Sequence, residues 1–232
     1  MDNINPATVT ILTNAIYFKS SWAYEFDKSK TESKTFYNAD GTTSTVPMMY
    51  QEYQMDYNIQ YSQMDVCGMA AIPFGNNAFC MNLILPAEGI DLDALVDEID
   101  GVSWHEMMKH RAVTTKLTLF MPRFKIENTL VGLADILATM GMPLVCSADS
   151  ADFSNMVDNI QKLFVSDVIQ KSYISVDEKA AEAAAVTIIA TLGMARMPDP
   201  LEVTMVLDRP FLFAITERST RAILFMGKVT AL

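Results

Sequence analysis

The chain has 232 residues, 50% of them hydrophobic and 19% charged, which is enough for one large core or two small ones and too apolar for disorder over most of its length. A formal charge of -11, from 28 acidic against 17 scattered basic residues, argues against general nucleic-acid binding, which needs a concentrated basic surface. The apolar runs are far shorter than a membrane helix requires, and the opening MDNINPATVT has neither the basic start nor the apolar centre of a secretory leader.

In chain order, Val9 to Phe18 is an apolar run carrying small polar residues and is predicted as a central strand buried on both faces. Trp22 and Phe26 follow, then the charged run Asp27 to Lys34, read as a surface connection. The turn pair Asp40-Gly41 lies inside Phe36 to Tyr50 and predicts a hairpin or a pair of short extended pieces there. Cys67 to Phe74 and Ala78 to Leu85 read as strands joined by a turn at Gly75 to Asn77. Leu92, Leu95, Val96 and Ile99 have helical spacing, and a helical region continues through Trp104, Met107 and Met108 to the basic patch Lys109 to Arg111. Ala112 to Met121 alternates, with Val113, Leu117 and Leu119 on one face, and is predicted as a single strand ended by Pro122. The clearest helix is Leu130 to Met140, with Leu130, Leu133, Ala134, Leu137 and Met140 as its buried stripe and Gly141 as its stop. Ser147 to Phe153 is turn-like, and Leu163 to Ile174, Leu201 to Leu207, Phe211 to Ile215 and Ala222 to Met226 are further strand candidates. Many strands, few helices and no internal repeat predict a mixed α+β architecture rather than repeated βαβ units.

The residues that carry chemistry elsewhere form no constellation here. Cys67, Cys80 and Cys146 are odd in number and widely spaced, so they read as small buried hydrophobes rather than a disulfide framework. His105 and His110 have no clustered Cys or Asp around them, which argues against a metal site, and each reads as a surface or helix-end residue. No GxSxG elbow occurs; Glu98, Asp149 and Asp152 lack catalytic or calcium-loop spacing; Gly41, Gly68, Gly75 and Gly89 are isolated turn glycines. The 17 methionines fall mostly inside strands or beside aromatic residues and read as core filling. No catalytic residue, cofactor or metal is expected.

Asp177 to Pro200, DEKAAEAAAVTIIATLGMARMPDP, stands apart. Glu178 to Ala185 is rich in Ala and Glu, which favour helix, whereas Val186 to Thr191 is β-branched and favours an extended chain. With almost no large side chain before Ile188, the segment could pass into a packed sheet without filling volume. It ends in Met194, Ala195, Arg196 and Met197 before Pro198 and Pro200, which stop regular structure. A small-residue hinge followed by a protease-sensitive tip is bait that can move.

Several separated motifs make the chain resemble a serpin, a member of the serine protease inhibitor superfamily. They are NAIYFKSSW at Asn14 to Trp22, VPMM at Val46 to Met49, LILP at Leu83 to Pro86 and LFMPRFKIE at Leu119 to Glu127. DEKAAEAAAVT at Asp177 to Thr187, DRPFLFAI at Asp208 to Ile215 and ILFMGKV at Ile223 to Val229 complete the set in family order. The resemblance implies several β-sheets, a few helices and an exposed reactive-centre loop at about 178–202. It places Asn14 to Lys19 on the third strand of the main sheet and Leu163 to Asp177 on its fifth, beside the gap that a cleaved loop enters. Asn14, Trp22 and Gln170 then belong to the sheet-opening region. Glu178, Lys179, Ala180, Ala181, Glu182, Ala183, Ala184, Ala185 and Val186 form the hinge. Family spacing puts the reactive bond between Met194 and Ala195, with Arg196-Met197 as the alternative.

The implied function is suicide-substrate inhibition of a serine endopeptidase, the chain itself being no enzyme; the alternative reading is a non-inhibitory serpin-like interaction protein or an inactive truncated fragment. The partner would be an elastase- or chymotrypsin-like protease, or a trypsin-like one if Arg196 is the bait; a papain-like cysteine protease ranks below these. No nucleic acid, cofactor or membrane insertion is implied, and the resemblance points to an extracellular or cell-envelope location. Ala180 stands where the family usually has Gly, and Gln170 where many members have a histidine, so no charge can switch near neutral pH at that position. The likeness begins after the family's N-terminal helices and first main-sheet strands. Residues 1–232 are therefore expected to be a partial serpin domain, an incomplete copy of the fold.

Overall fold

The computed structural model describes residues 10–54, 59–109, 112–113, 116–155, 163–178 and 202–232. The elements follow as β1 (Ile11–Phe18), a 3-10 turn at Lys28–Lys30, β2 (Glu32–Tyr37), β3 (Thr43–Gln54), β4 (Gln60–Gln63), β5 (Cys67–Phe74) and β6 (Phe79–Pro86). Two helices, α1 (Leu92–Glu98) and α2 (Gly101–Lys109), precede β7 (Ala112–Val113), β8 (Lys116–Pro122) and β9 (Phe124–Leu130). Then come α3 (Leu133–Thr139), β10 (Asp167–Val176), β11 (Glu202–Val206), β12 (Phe211–Glu217) and β13 (Ile223–Val229). The strands form three sheets, ordered β1-β10-β9, β11-β8-β3-β2 and β13-β12-β6-β5-β4-β7, and the architecture is α+β as predicted. The chain divides into a smaller unit, Met1–Phe18 with Lys125–Ser175, and a larger one, Lys19–Phe124 with Val176–Leu232.

The larger unit holds the dense core. In its hairpin β2–β3, Gly41 takes φ 82°, and the Asp40 carboxylate accepts from the Thr42 amide at 2.9 Å and its hydroxyl at 2.6 Å. The side chain of Asp40 thus closes an Asx turn at the turn pair marked in the sequence. Strand β5 is buried at every residue because β4 and β6 flank it. The β5–β6 turn needs left-handed backbone at both Gly75 (φ 45°) and Asn77 (φ 68°). Helix α1 starts where the Asp91 side chain accepts from the amides of Asp93 and Ala94, satisfying two of the otherwise unpaired first-turn donors. Its Leu92 and Leu95, with Trp104, Met107 and Met108 of α2, pack on Cys67, Met69, Ile84, Leu212 and Ala214 of the six-stranded sheet. Met48, Met49, Met69, Met81, Met107, Met108, Met121 and Met205 are all buried, so core filling is their main use.

The region Ala112 to Met121, expected as one strand, is two. Ala112–Val113 pairs with β4 in the six-stranded sheet, whereas Lys116–Pro122 lies between β3 and β11 in the four-stranded sheet. Alternation reports which side chains share a face but carries no information on a change of sheet.

In the smaller unit β1 runs parallel to β10, in a register from Ile11↔Asp167 to Phe18↔Ile174, and β9 flanks β10 on its other side. Two burial expectations need correction. Strand β1 lies where predicted, yet Leu12 and Tyr17 are 51% and 63% exposed. Among the described residues only β10 pairs with it, and Leu12 to Ala15 at its centre are exposed. The helix expected at Leu130 to Met140 shortens to Leu133–Thr139 because Gly132 takes φ 71° at its N-cap, donating its amide to Asp167 Oδ1 at 3.0 Å. None of its residues is buried, and Leu130 and Met140 are 42% and 76% exposed. Helical spacing describes a stripe; burial also needs a surface for that stripe to meet.

Candidate functional site

Strand β10 leads through Asp177 to Glu178, the residue from which a hinge was expected, and the larger unit binds both tightly. The Trp22 indole is buried between Phe74, stacked at 4.5 Å, and Phe26, edge-on at 5.7 Å. Backbone hydrogen bonds from Ala23 to Pro73 and from Gly75 to Ser21 hold this segment against the end of β5. So fixed, Trp22 donates its Nε1 proton to the carbonyl of Asp177 at 2.9 Å.

Glu178 is only 4% exposed, and its carboxylate would be costly to bury alone. It is held by the guanidinium of Arg123, in the break between β8 and β9, and by the Thr31 hydroxyl, which donates at 2.5 Å. Burial by itself pushes this carboxyl up, but the hydrogen bonds from Arg123 and Thr31 outweigh it and hold the group below the ordinary glutamate range. The same hydrogen bond holds the Arg123 guanidinium above its ordinary value. Three segments distant in sequence therefore converge on the residue where the Ala-rich stretch begins. The expected loop limits are both built into this unit: Glu178 is clamped rather than exposed, and Glu202 opens β11, opposite Lys116.

The second place of interest is the parallel seam of the smaller unit. Asn14 and Gln170, singled out separately in the sequence, are register partners across β1 and β10. Further along the seam Tyr17 stacks on Tyr173, with ring centroids 5.5 Å apart, and Lys125 of β9 sits 5.1 Å from the Tyr173 ring centre. At the opposite end the Ser166 amide and hydroxyl both donate to the Thr10 carbonyl, at 2.9 and 2.7 Å.

Trp22 and Glu178 are thus placed on one anchor, and Asn14 and Gln170 on one seam. Lys179 to Val186, Met194, Ala195, Arg196, Met197 and His110 lie outside the described residues. His105 is exposed on α2. Cys67 and Cys80 are buried and Cys146 half-buried, all as free thiols, and burial pushes the Cys67 thiol up to about 11. Among the described residues no three of His, Cys, Asp and Glu converge as a metal site requires, and no helix is long and apolar enough to cross a membrane. Arg123 and Thr31 were not singled out from the sequence. Their partner lies 55 and 147 positions away, beyond the reach of any local pattern.

The family model for Serpin (serine protease inhibitor) matches residues 1–232. An uncharacterized serpin-like protein of Methanosarcina mazei is 36% identical over 227 residues, covering 97% of this chain and 51% of that protein. Antithrombin-III of Mus musculus is 34% identical, covering 97% of this chain and 47% of its own length. Among solved structures, the thermophilic serpin Tengpin in its native state matches with a TM-score of 0.83 and 28% identity, over 100% of this chain and 58% of Tengpin. Mouse protein-Z dependent protease inhibitor gives 0.80 and 29%, over 100% and 57%. The chain spans about half the length of the relatives it matches. With that family model matched from end to end, the chain belongs to the serpin family.

Proposed function

We propose that the chain carries the reactive half of a serpin-type inhibitor that traps a serine endopeptidase as a suicide substrate. The observation that supports this most is the direct parallel pairing of β1 with β10, together with the run of β10 into Glu178 and the Ala-rich hinge. A segment that follows β10 and folds back beside it runs antiparallel to β10, and therefore antiparallel to β1 as well. Entering between them, it exchanges one parallel ladder for two antiparallel ones, the slightly more stable kind per residue. Alternate residues Ala181, Ala183, Ala185, Thr187 and Ile189 would then face the interior, small ones first.

The chemistry is the target's own. The protease serine oxygen attacks the Met194 carbonyl, the Met194–Ala195 peptide bond breaks, and Ala195 leaves as a new amino terminus. An ester then joins the protease serine to Met194. Water would hydrolyse that ester and release both partners, so inhibition requires insertion to distort or displace the protease before deacylation. Met194 suits an elastase- or chymotrypsin-like target; cleavage at Arg196-Met197 would suit a trypsin-like one. The protein would act outside the cell or in the cell envelope. Ala180 at a family glycine position favours a second reading, a serpin-like interaction protein whose loop is cut without trapping.

Mixing the chain, and its longer parent where one exists, with elastase-like and trypsin-like proteases tests both readings. A covalent adduct on denaturing gels, with intact mass placing the cut after Met194, is the expected result. Stoichiometric cleavage with no adduct in the longer parent would sink the inhibitor reading for those proteases.

A further inference from the structure

We propose that Tyr17, Tyr173 and Lys125 form a clasp across the three-stranded sheet, and that this clasp sets how readily the β1–β10 seam opens. The inference deepens the reading above, since it assumes that this seam admits a strand.

Tyr17 and Tyr173 are register partners, so the parallel pairing itself brings their Cα atoms side by side. Their rings stack with centroids 5.5 Å apart and an interplanar angle of 25°, inside the range where aromatic pairs attract. Lys125, from the third strand, places its ammonium 5.1 Å from the Tyr173 ring centre, a cation–π distance that orients the ring. One row of side chains thus ties β1 to β10 to β9.

The geometry makes this contact incompatible with an open seam. Neighbouring strands lie about 4.8 Å apart, so admitting one more roughly doubles the β1–β10 spacing and carries the two rings beyond contact. Its position also matters. Tyr173 lies three residues before Val176, the last residue of β10, so a chain turning back after Glu178 meets the clasp early. The Thr10–Ser166 hydrogen bonds, at the far end of the seam, would be broken last. Tyr17 is 63% exposed, so the stack is poor value as core and its ring can be removed without leaving a cavity.

Backbone amide exchange over Ile11–Phe18 and Asp167–Val176, read in the full chain, tests the clasp without any protease. Tyr17→Ala should speed exchange there about two- to tenfold, while Tyr17→Phe, which keeps a stacking ring, should leave it unchanged. Lys125→Met should give a smaller increase, and none further in the Tyr17→Ala background, because Lys125 acts through the stack. Unchanged exchange in Tyr17→Ala overturns the clasp. So does an equal increase throughout β5, β6 and β12, which would mark a general loss of stability. With a reactive protease, Tyr17→Ala should also raise the ratio of adduct to cleaved chain. Absence of adduct in every variant of the longer parent would bring down the inhibitor reading, while the exchange pattern would still judge the clasp.

Discussion

Strands β1 and β12 are both mostly apolar, ILTNAIYF and FLFAITE, and have opposite fates. Strand β12 has β13 and β6 as neighbours, and six of its seven residues are buried. Strand β1 has only β10 among the described residues, and its central residues are exposed. Apolar character alone therefore does not distinguish a frame from a moving part. What distinguishes them is how many neighbours each strand would have to lose before it could move. Regions with few buried contacts open at low free-energy cost, and functional rearrangements draw on those regions.

The largest effect is expected in the frame, with the seam as its comparison. Phe211 is fully buried and packs edge-on against Phe124 at 5.9 Å. Phe211→Ala should cost about 3–5 kcal/mol of unfolding free energy in urea, whereas Leu12→Ala, at a site 51% exposed, should cost under about 1 kcal/mol. Equal costs would mean that β1 is covered in solution, and the contrast between the strands would fail.

The anchor at Glu178 sharpens the comparison, because it ties a polar residue into the frame just beyond the end of β10. Arg123→Ala strips a buried carboxylate of its cation and should cost about 2–3 kcal/mol near neutral pH, the partial exposure of Arg123 keeping it from more. The pH dependence has a definite sign. Glu178 is held below its ordinary value of 4.5, so the clamp contributes fully above that pH and is lost as pH falls through the lower folded value. The penalty of Arg123→Ala should accordingly vanish in acid, and Trp22 fluorescence in a Trp104→Phe background should report the release locally. A penalty that persists unchanged below the folded value would mean that Arg123 acts by packing alone.

How much of this could be seen in the residues themselves follows the same division. The hairpin at Asp40-Gly41, the strands Cys67–Phe74 and Phe79–Pro86, and helix α1 were legible because turn chemistry, capping and periodicity are local. The separated motifs supplied the family and, through it, singled out Asn14 and Gln170, whereas their pairing in register across β1 and β10 emerged only from the structure. The burial of β1 and of the α3 stripe was misjudged because a periodic pattern does not name the surface it will meet. The split of Ala112 to Met121 between two sheets and the meeting of Arg123, Thr31 and Glu178 were out of reach for a related reason. Both depend on chain segments brought together only by the finished topology.

The mildest probe of the contrast uses the three free thiols, two in the larger unit and one in the smaller. Cys67 is fully buried on β5, and burial raises its thiol to about 11, so at pH 8 only about a thousandth of it is the reactive thiolate. Cys80 is 2% exposed, with its sulfur 3.3 Å from the Thr216 hydroxyl on the neighbouring strand. Cys146 is half-buried outside any strand or helix, its sulfur 3.8 Å from the Ala134 carbonyl. Iodoacetamide at pH 8 should therefore add one label quickly, mapped by peptide mass to Cys146. Labels on Cys67 and Cys80 should appear only at the rate of global unfolding, accelerating with urea in step with it. Prompt labelling of Cys67 or Cys80 in the native chain would show that the six-stranded sheet opens locally, and the frame would then be no firmer than the seam.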